Sequence, residues 1–164
     1  MSTQPRNAQA IDDFVRWEFE GGNAFQADDI EFAHNGTDWV LRAHYKRGQI
    51  GESHAVWLFI RGAADQPLNG IFNLDELLSP NRDAFCYYLE EFQENWFDSY
   101  TTTGQVQFEI KPDGVSTGQI TALIGLDLKL HVSFSVTQTT TGIPHTVPAT
   151  EEKVQALRAK HLKA

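Results

Sequence analysis

Residues 82–98 read RDAFCYYLEEFQENWFD, and the way this stretch folds decides the class of the whole chain. Phe85, Tyr88, Leu89, Phe92 and Trp96 fall at i, i+3, i+4, i+7 and i+11, which is one apolar stripe at helical spacing. Asn81 stands where an N-cap belongs. The spacing predicts a central helix from Arg82 to about Asp98, packed across a sheet.

Before this stretch the sequence reads as an antiparallel meander. Asn35-Gly36 tolerates the positive φ of a type I′ turn. Folding about it sets Ile30 opposite Leu41, Phe32 opposite Trp39 and Asp29 opposite Arg42. A second turn over residues 47–51 pairs Lys46 with Glu52, which sets Ala43 opposite Ala55, Leu41 opposite Trp57 and Trp39 opposite Phe59. Ala55–Ile60 is apolar on both sides, so it predicts a central strand with both faces covered. Residues 61–73 (RGAADQPLNGIFN) are a loop by composition.

A second meander follows. Val106, Phe108 and Ile110 alternate with Gln105, Gln107 and Glu109, and Pro112-Asp113-Gly114 turns the chain toward Ile120, Ala122 and Ile124. The run from Leu126 to Val136 alternates at period two, the pattern of a half-buried strand. At the ends the sequence predicts a leader at 1–9 and a helix at Ala10–Glu20 with Ile11, Phe14 and Val15 on one side. It also predicts a Thr/Pro loop at 137–149 and a terminal helix at 150–162 carrying Val154, Leu157 and Leu162. The expected fold is one α+β domain over residues 10–164. Two antiparallel β-meanders, about six strands in all, flank a central helix, with N- and C-terminal helices added.

A length of 164 residues with 41% hydrophobic content fits one globular domain. A single cysteine, Cys86, excludes an intrachain disulfide. The polar start lacks a signal-peptide pattern, and no run nears the ~18 apolar residues of a membrane span. These features predict a cytoplasmic protein without membrane association. A net charge of -9 argues against binding nucleic-acid backbones. The acidity is regional: residues 62–110 hold nine acids and one base, whereas 39–61 hold one acid and four bases. On a helix, Glu90, Glu94 and Asp98 would share one face, with Asp83 and Glu91 beside them. That row reads as a solvated helix face or as a docking surface for a basic protein partner; a third reading, paired catalytic carboxylates, lacks the pocket that would separate their pKa values.

Other constellations carry less. In the expected register His44 lies opposite His54, which reads either as two tolerated polar residues or as the start of a metal site with Glu52. Neither HExxH nor CxxC occurs, so no cofactor is predicted. Cys86 among aromatics reads as a core residue or, near a helix N-terminus, as a nucleophile. Trp57, Phe59, Tyr87, Tyr88, Trp96, Phe97 and Tyr100 either fill a core or line a pocket.

The helix-like FCYYLEEFQENW, the hairpin GQVQFEIKPDGVSTGQITALI and the long alternating strand after it stand in a suggestive order. Over roughly residues 28–137 this order resembles small bacterial immunity proteins of the WapI-like kind. The resemblance implies a non-enzymatic, single-domain binder that neutralises a toxin, often a basic nuclease. The expected function is thus a binding module acting on a basic toxin effector. The alternative is a small-molecule or lipid binder with an aromatic-lined pocket against the sheet. An edge strand around Leu126–Val136 is the expected contact for a homodimer.

Overall fold

The computed structural model describes residues 13–49, 51–74, 83–93, 96–125 and 127–138. Within them the chain forms eleven strands: β1 (Phe14–Phe19), β2 (Ala24–Gln26), β3 (Asp29–His34), β4 (Asp38–Tyr45), β5 (His54–Arg61), β6 (Leu68–Leu74), β7 (Ala84–Gln93), β8 (Trp96–Thr101), β9 (Thr103–Ile110), β10 (Ser116–Ile124) and β11 (Leu128–Val136). All belong to one sheet, ordered β2-β1-β11-β10-β9-β6-β7-β5-β4-β3, with β8 beside β7. The sheet is mixed and strongly curled into a half-barrel. Among the described residues its one parallel contact joins β6 and β7 at Leu74 and Ala84.

The α+β expectation is therefore corrected to all-β among the described residues. The decisive stretch is two strands, β7 and β8, paired antiparallel with a bulge between Glu91 and Gln93. The reason is that its helical stripe is only half of its apolar content. Phe85, Tyr87 and Leu89 face one side of β7 while Ala84, Cys86 and Tyr88 face the other, and all six are buried. An apolar run of this length satisfies helix and strand periodicity alike, and its aromatics favour a strand buried on both faces. The expected N-terminal helix is β1, because Val15, Trp17 and Phe19 alternate strictly with exposed Arg16 and Glu18. The expected 61–73 loop contains β6, which pairs with β9 along its length despite Asn69, Gly70 and Asn73. The leader at 1–9, nearly all of the 137–149 loop and the helix at 150–162 lie outside the described residues.

The first hairpin closes on Asn35 and Asp38, with Gly36 (φ +110°) as the first of two central residues. The register moves by two: Ile30 faces Ala43, Phe32 faces Leu41, and Glu31 rather than Asp29 faces Arg42. A shift of two leaves each side chain on its expected face. The second hairpin shifts by one, pairing Tyr45 with His54 and Leu41 with Leu58. Its loop spans residues 46–53, with Lys46, Gly48 and Gly51 all at positive φ. A one-residue slip exchanges the faces of the whole following strand. Val56, Leu58 and Ile60 thus point into the half-barrel, and Ala55, Trp57 and Phe59 point out. The second meander matches expectation as β9, β10 and β11, but β11 lies between β10 and β1 and so offers no sheet edge.

The concave side holds the main core, to which every strand except β2 contributes a buried residue. Curling brings strands that are distant in the order into contact. The Phe19 ring on β1 meets Tyr88 on β7 edge-on at 5.0 Å, and Phe25 on β2 meets His54 on β5 at 4.5 Å. The two ends of the strand order are consecutive in the chain. Ala27 donates its N–H to the Val15 carbonyl on β1, and Asp28 donates to the His44 carbonyl on β4.

Gly104 shows how tightly β9 and β10 pack. It sits at φ +137°, and a Cβ there would collide with the Thr121 carbonyl oxygen. Gly104→Ala is expected to lower unfolding stability by at least about 2 kcal/mol, from strain and lost pairing together. A urea titration followed by tryptophan fluorescence measures this, and an unchanged midpoint would contradict the register.

Candidate functional site

The acidic row does not exist as a row. Glu90 and Glu91 are neighbours on a strand, so they point to opposite faces, and both are buried. Glu91 accepts the Gly48 N–H at 2.7 Å and so pins the β4–β5 loop. Asp83 is exposed, and its carbonyl receives the Arg61 N–H at 2.8 Å. Asp98 pairs with Glu90 across β7 and β8 and is half-buried. Glu94 lies outside the described residues.

The histidine pair is separated as well, because the one-residue slip puts His44 outside and His54 inside. His34 accepts the Gly36 N–H at Nδ1, and its Nε2 lies 2.6 Å from the Gly62 carbonyl, so it carries its proton on Nε2 and ties a loop. Among the described residues no three His, Cys, Asp or Glu side chains converge as metal ligands. Cys86 is buried on the inner face, and burial pushes its thiol up to about 12, against a weaker opposing pull from Thr102. That holds it as a protonated core residue.

At one end of the half-barrel the inner face carries a polar network that sequence reading missed. Tyr88 Oη and His54 Nδ1 are 2.9 Å apart, Glu90 lies 3.7 Å from the same nitrogen, and Tyr100 donates to Glu90 at 3.2 Å. Burial first, and the Glu90 charge second, raises the pKa of both tyrosines, so each phenol stays neutral. A recess of about 360 Å³ reaches this network through His54 and is walled by Phe25, Tyr45, Lys46 and Glu52. The aromatics expected to line one pocket are divided between faces: Tyr88 and Tyr100 inside, Trp57, Phe59 and Tyr87 outside.

The outside of the sheet has two halves of opposite character. Over β4, β5 and β7 it is apolar and buried, a second cluster of Val40, Ala55, Trp57, Phe59, Phe85, Tyr87 and Leu89. Over β6, β9, β10, β11, β1 and β2 it is polar and largely exposed. Register aligns its side chains in transverse rows. One row runs Gln107, Gln119, Ser133, Arg16 and Gln26, and the next runs Gln105, Thr121, His131 and Glu18. A shallow recess of about 740 Å³ lies along these rows over β2, β1, β11 and β10. A second, of about 480 Å³, adjoins it toward β9 and shares Gln119 and Ser133. The outward positions of each strand were legible as alternation, but strand order, which makes rows of them, was not.

Beside the apolar half, charges are paired. Arg42 bridges to Glu31 with both side chains buried, Arg47 reaches Asp29 at 3.4 Å, and the Arg42 guanidinium lies 5.7 Å from the Trp57 ring centre. Trp57 donates its indole N–H to His44 Nε2 at 3.2 Å, which needs that nitrogen unprotonated. Burial first, then the Arg47 and Arg42 charges, lowers the His44 pKa from 6.5 to about 3.

Compared with known proteins, the chain matches no family model, no curated protein and no solved structure.

The depressed His44 pKa fixes a sign. Below pH 6.5 the unfolded chain takes up a proton that the folded chain refuses until about pH 3, so stability falls as pH drops through that window. His44→Gln is expected to shrink the stability difference between pH 7 and pH 4 by up to about 3 kcal/mol. Urea unfolding at the two pH values checks it; an unchanged difference would exclude a neutral His44.

Proposed function

We propose that the protein is a binding module whose partner docks on the polar outer face of β1, β11, β10 and β9. The carrying observation is the pair of adjoining recesses floored by rows of amide and hydroxyl side chains. Gln107, Gln119, Thr121 and Ser133 each supply a donor and an acceptor, so the surface suits a partner rich in backbone or side-chain amides. Its charges are mixed: Arg16 and Lys129 lie among Glu18 and Glu20. Steering by a strongly basic partner is therefore not the main source of affinity, in contrast to the acidic-helix expectation. The immunity-protein resemblance supports the most concrete form of this reading, a protein that seats on a toxin effector and blocks it.

A photocrosslinking residue placed at Gln119, Thr121 or Ser133 in living cells tests the surface, with Asp113 in the β9–β10 turn as control. One common protein adduct is expected from the three face positions and none from the control. With that protein purified, the double change Gln119→Arg and Ser133→Arg should weaken binding at least about tenfold. No shared adduct, or undiminished binding by the double variant, would remove this face as the docking surface.

A further inference from the structure

We propose that the fork between β2 and β4 is a docking site for an extended peptide segment, which adds to the free edge of β2. Residues 24–28 change partners along their length. Asp28 donates its N–H to the His44 carbonyl on β4, whereas Ala27 donates to the Val15 carbonyl on β1. An extended chain directs its peptide groups to alternate sides. Asn23, Phe25 and Ala27 therefore turn theirs toward β1, and Ala24, Gln26 and Asp28 turn theirs away. Asn23 follows the alternation, since its carbonyl accepts the Phe19 N–H at 3.0 Å. Of the second set, Asp28 meets β4. Ala24 and Gln26 are exposed and face the free edge of a strand that ends the sheet and pairs only with β1 among the described residues.

Beyond His44 the two chains part. Tyr45 ends β4, and Lys46 turns into the loop at φ +53°. The wedge left between them is the recess of about 360 Å³, with Ala24 and Phe25 on one wall and Tyr45, Lys46, Glu52 and His54 on the other. An incoming strand would take the place beside β2 that β4 takes beside β3. Size agrees: a strand residue occupies roughly 160 Å³, from its rise, the spacing of strands and the spacing of sheets, so the recess holds about two. The chemistry agrees as well. The floor is aromatic, with the Phe25 ring 4.5 Å from His54 and 5.4 Å from Tyr45. The rim is polar, and there Lys46 bridges to Glu52 at 3.1 Å. A small anion or cation would have to break that bridge to bind. A strand needs no charge: its amides pair with the edge, its alternate side chains rest on the rings, and the others face water. The partner is thus an extended segment with apolar residues at every second position, held by main-chain hydrogen bonds.

The probe is a phage-displayed library of random heptapeptides, selected on the full chain, with the enriched sequences then synthesised and measured by fluorescence polarisation. Enriched peptides are expected to alternate apolar and polar residues. N-methylation of one alternate set of their amides should weaken binding at least about fivefold, and methylation of the other set should leave it unchanged. Ala24→Pro removes the N–H at the free edge while sparing the ladder to β1, and should also weaken binding at least about fivefold. The pair Gln119→Arg with Ser133→Arg on the outer face should leave it unchanged. No peptide binding more tightly than about 1 mM, equal sensitivity of the two amide sets, or undiminished binding by Ala24→Pro would overturn the proposal. In the unaltered chain, bound peptide should slow hydrogen exchange at Ala24 and Gln26 at least about tenfold and leave 119–123 unchanged. Unchanged exchange at both edge residues would also overturn it.

Discussion

A strand that is apolar on both sides must be covered on both sides, and β5 is that strand. Its residues from His54 to Ile60 are all buried. This constraint organises the molecule. On the inner side Val56, Leu58 and Ile60 draw the sheet around themselves, and on the outer side Ala55, Trp57 and Phe59 require a second layer. Hiding the seven side chains of the outer cluster contributes on the order of 10 kcal/mol before entropy is counted. That is comparable to the entire net stability of an ordinary domain. The same requirement passes to β4 and β7, the neighbours of β5, whose outward residues join the cluster.

The other half of the sheet obeys a simpler rule. From β6 through β1 each strand buries one face and wets the other, so polar residues alternate with apolar ones. The outside is thereby divided between a surface built to be hidden and a surface built to meet water or a partner. Polar networks are placed accordingly. Tyr88, His54, Glu90 and Tyr100 satisfy one another inside, and Trp57 with His44 does so on the outer side, where burial keeps the imidazole neutral.

Legibility in the sequence followed this division. In the wet half the inward sets of β9, β10 and β11 were evident from alternation, because one residue in two reports its face, whereas β1 read as a short helix and β6 as a loop by composition. The doubly buried half could be read only for burial. Ala55–Ile60 announced that it was covered on both sides, but an all-apolar strand carries no mark of which side is which. Its register slipped by one, and His44 and His54 parted company with it. For the same reason 84–89, apolar at nearly every position, matched a helix as well as a strand. The acidic docking row was an artefact of that periodicity, since Glu90 and Glu91 face opposite ways on a strand. The polar rows were invisible for a different reason: β6 beside β9, and β1 beside β11, are long-range pairings that no local pattern encodes.

The junction at Ala27 and Asp28 gives the half-barrel the mechanics of a hoop with one clasp. Adjacent residues of a single short segment hold β1 on one side and β4 on the other, so the circumference is fixed by local chain geometry as well as by core packing. Strain applied at either end of the sheet converges on the same pair of peptide groups. Two ends that would otherwise fray separately are bound to open together.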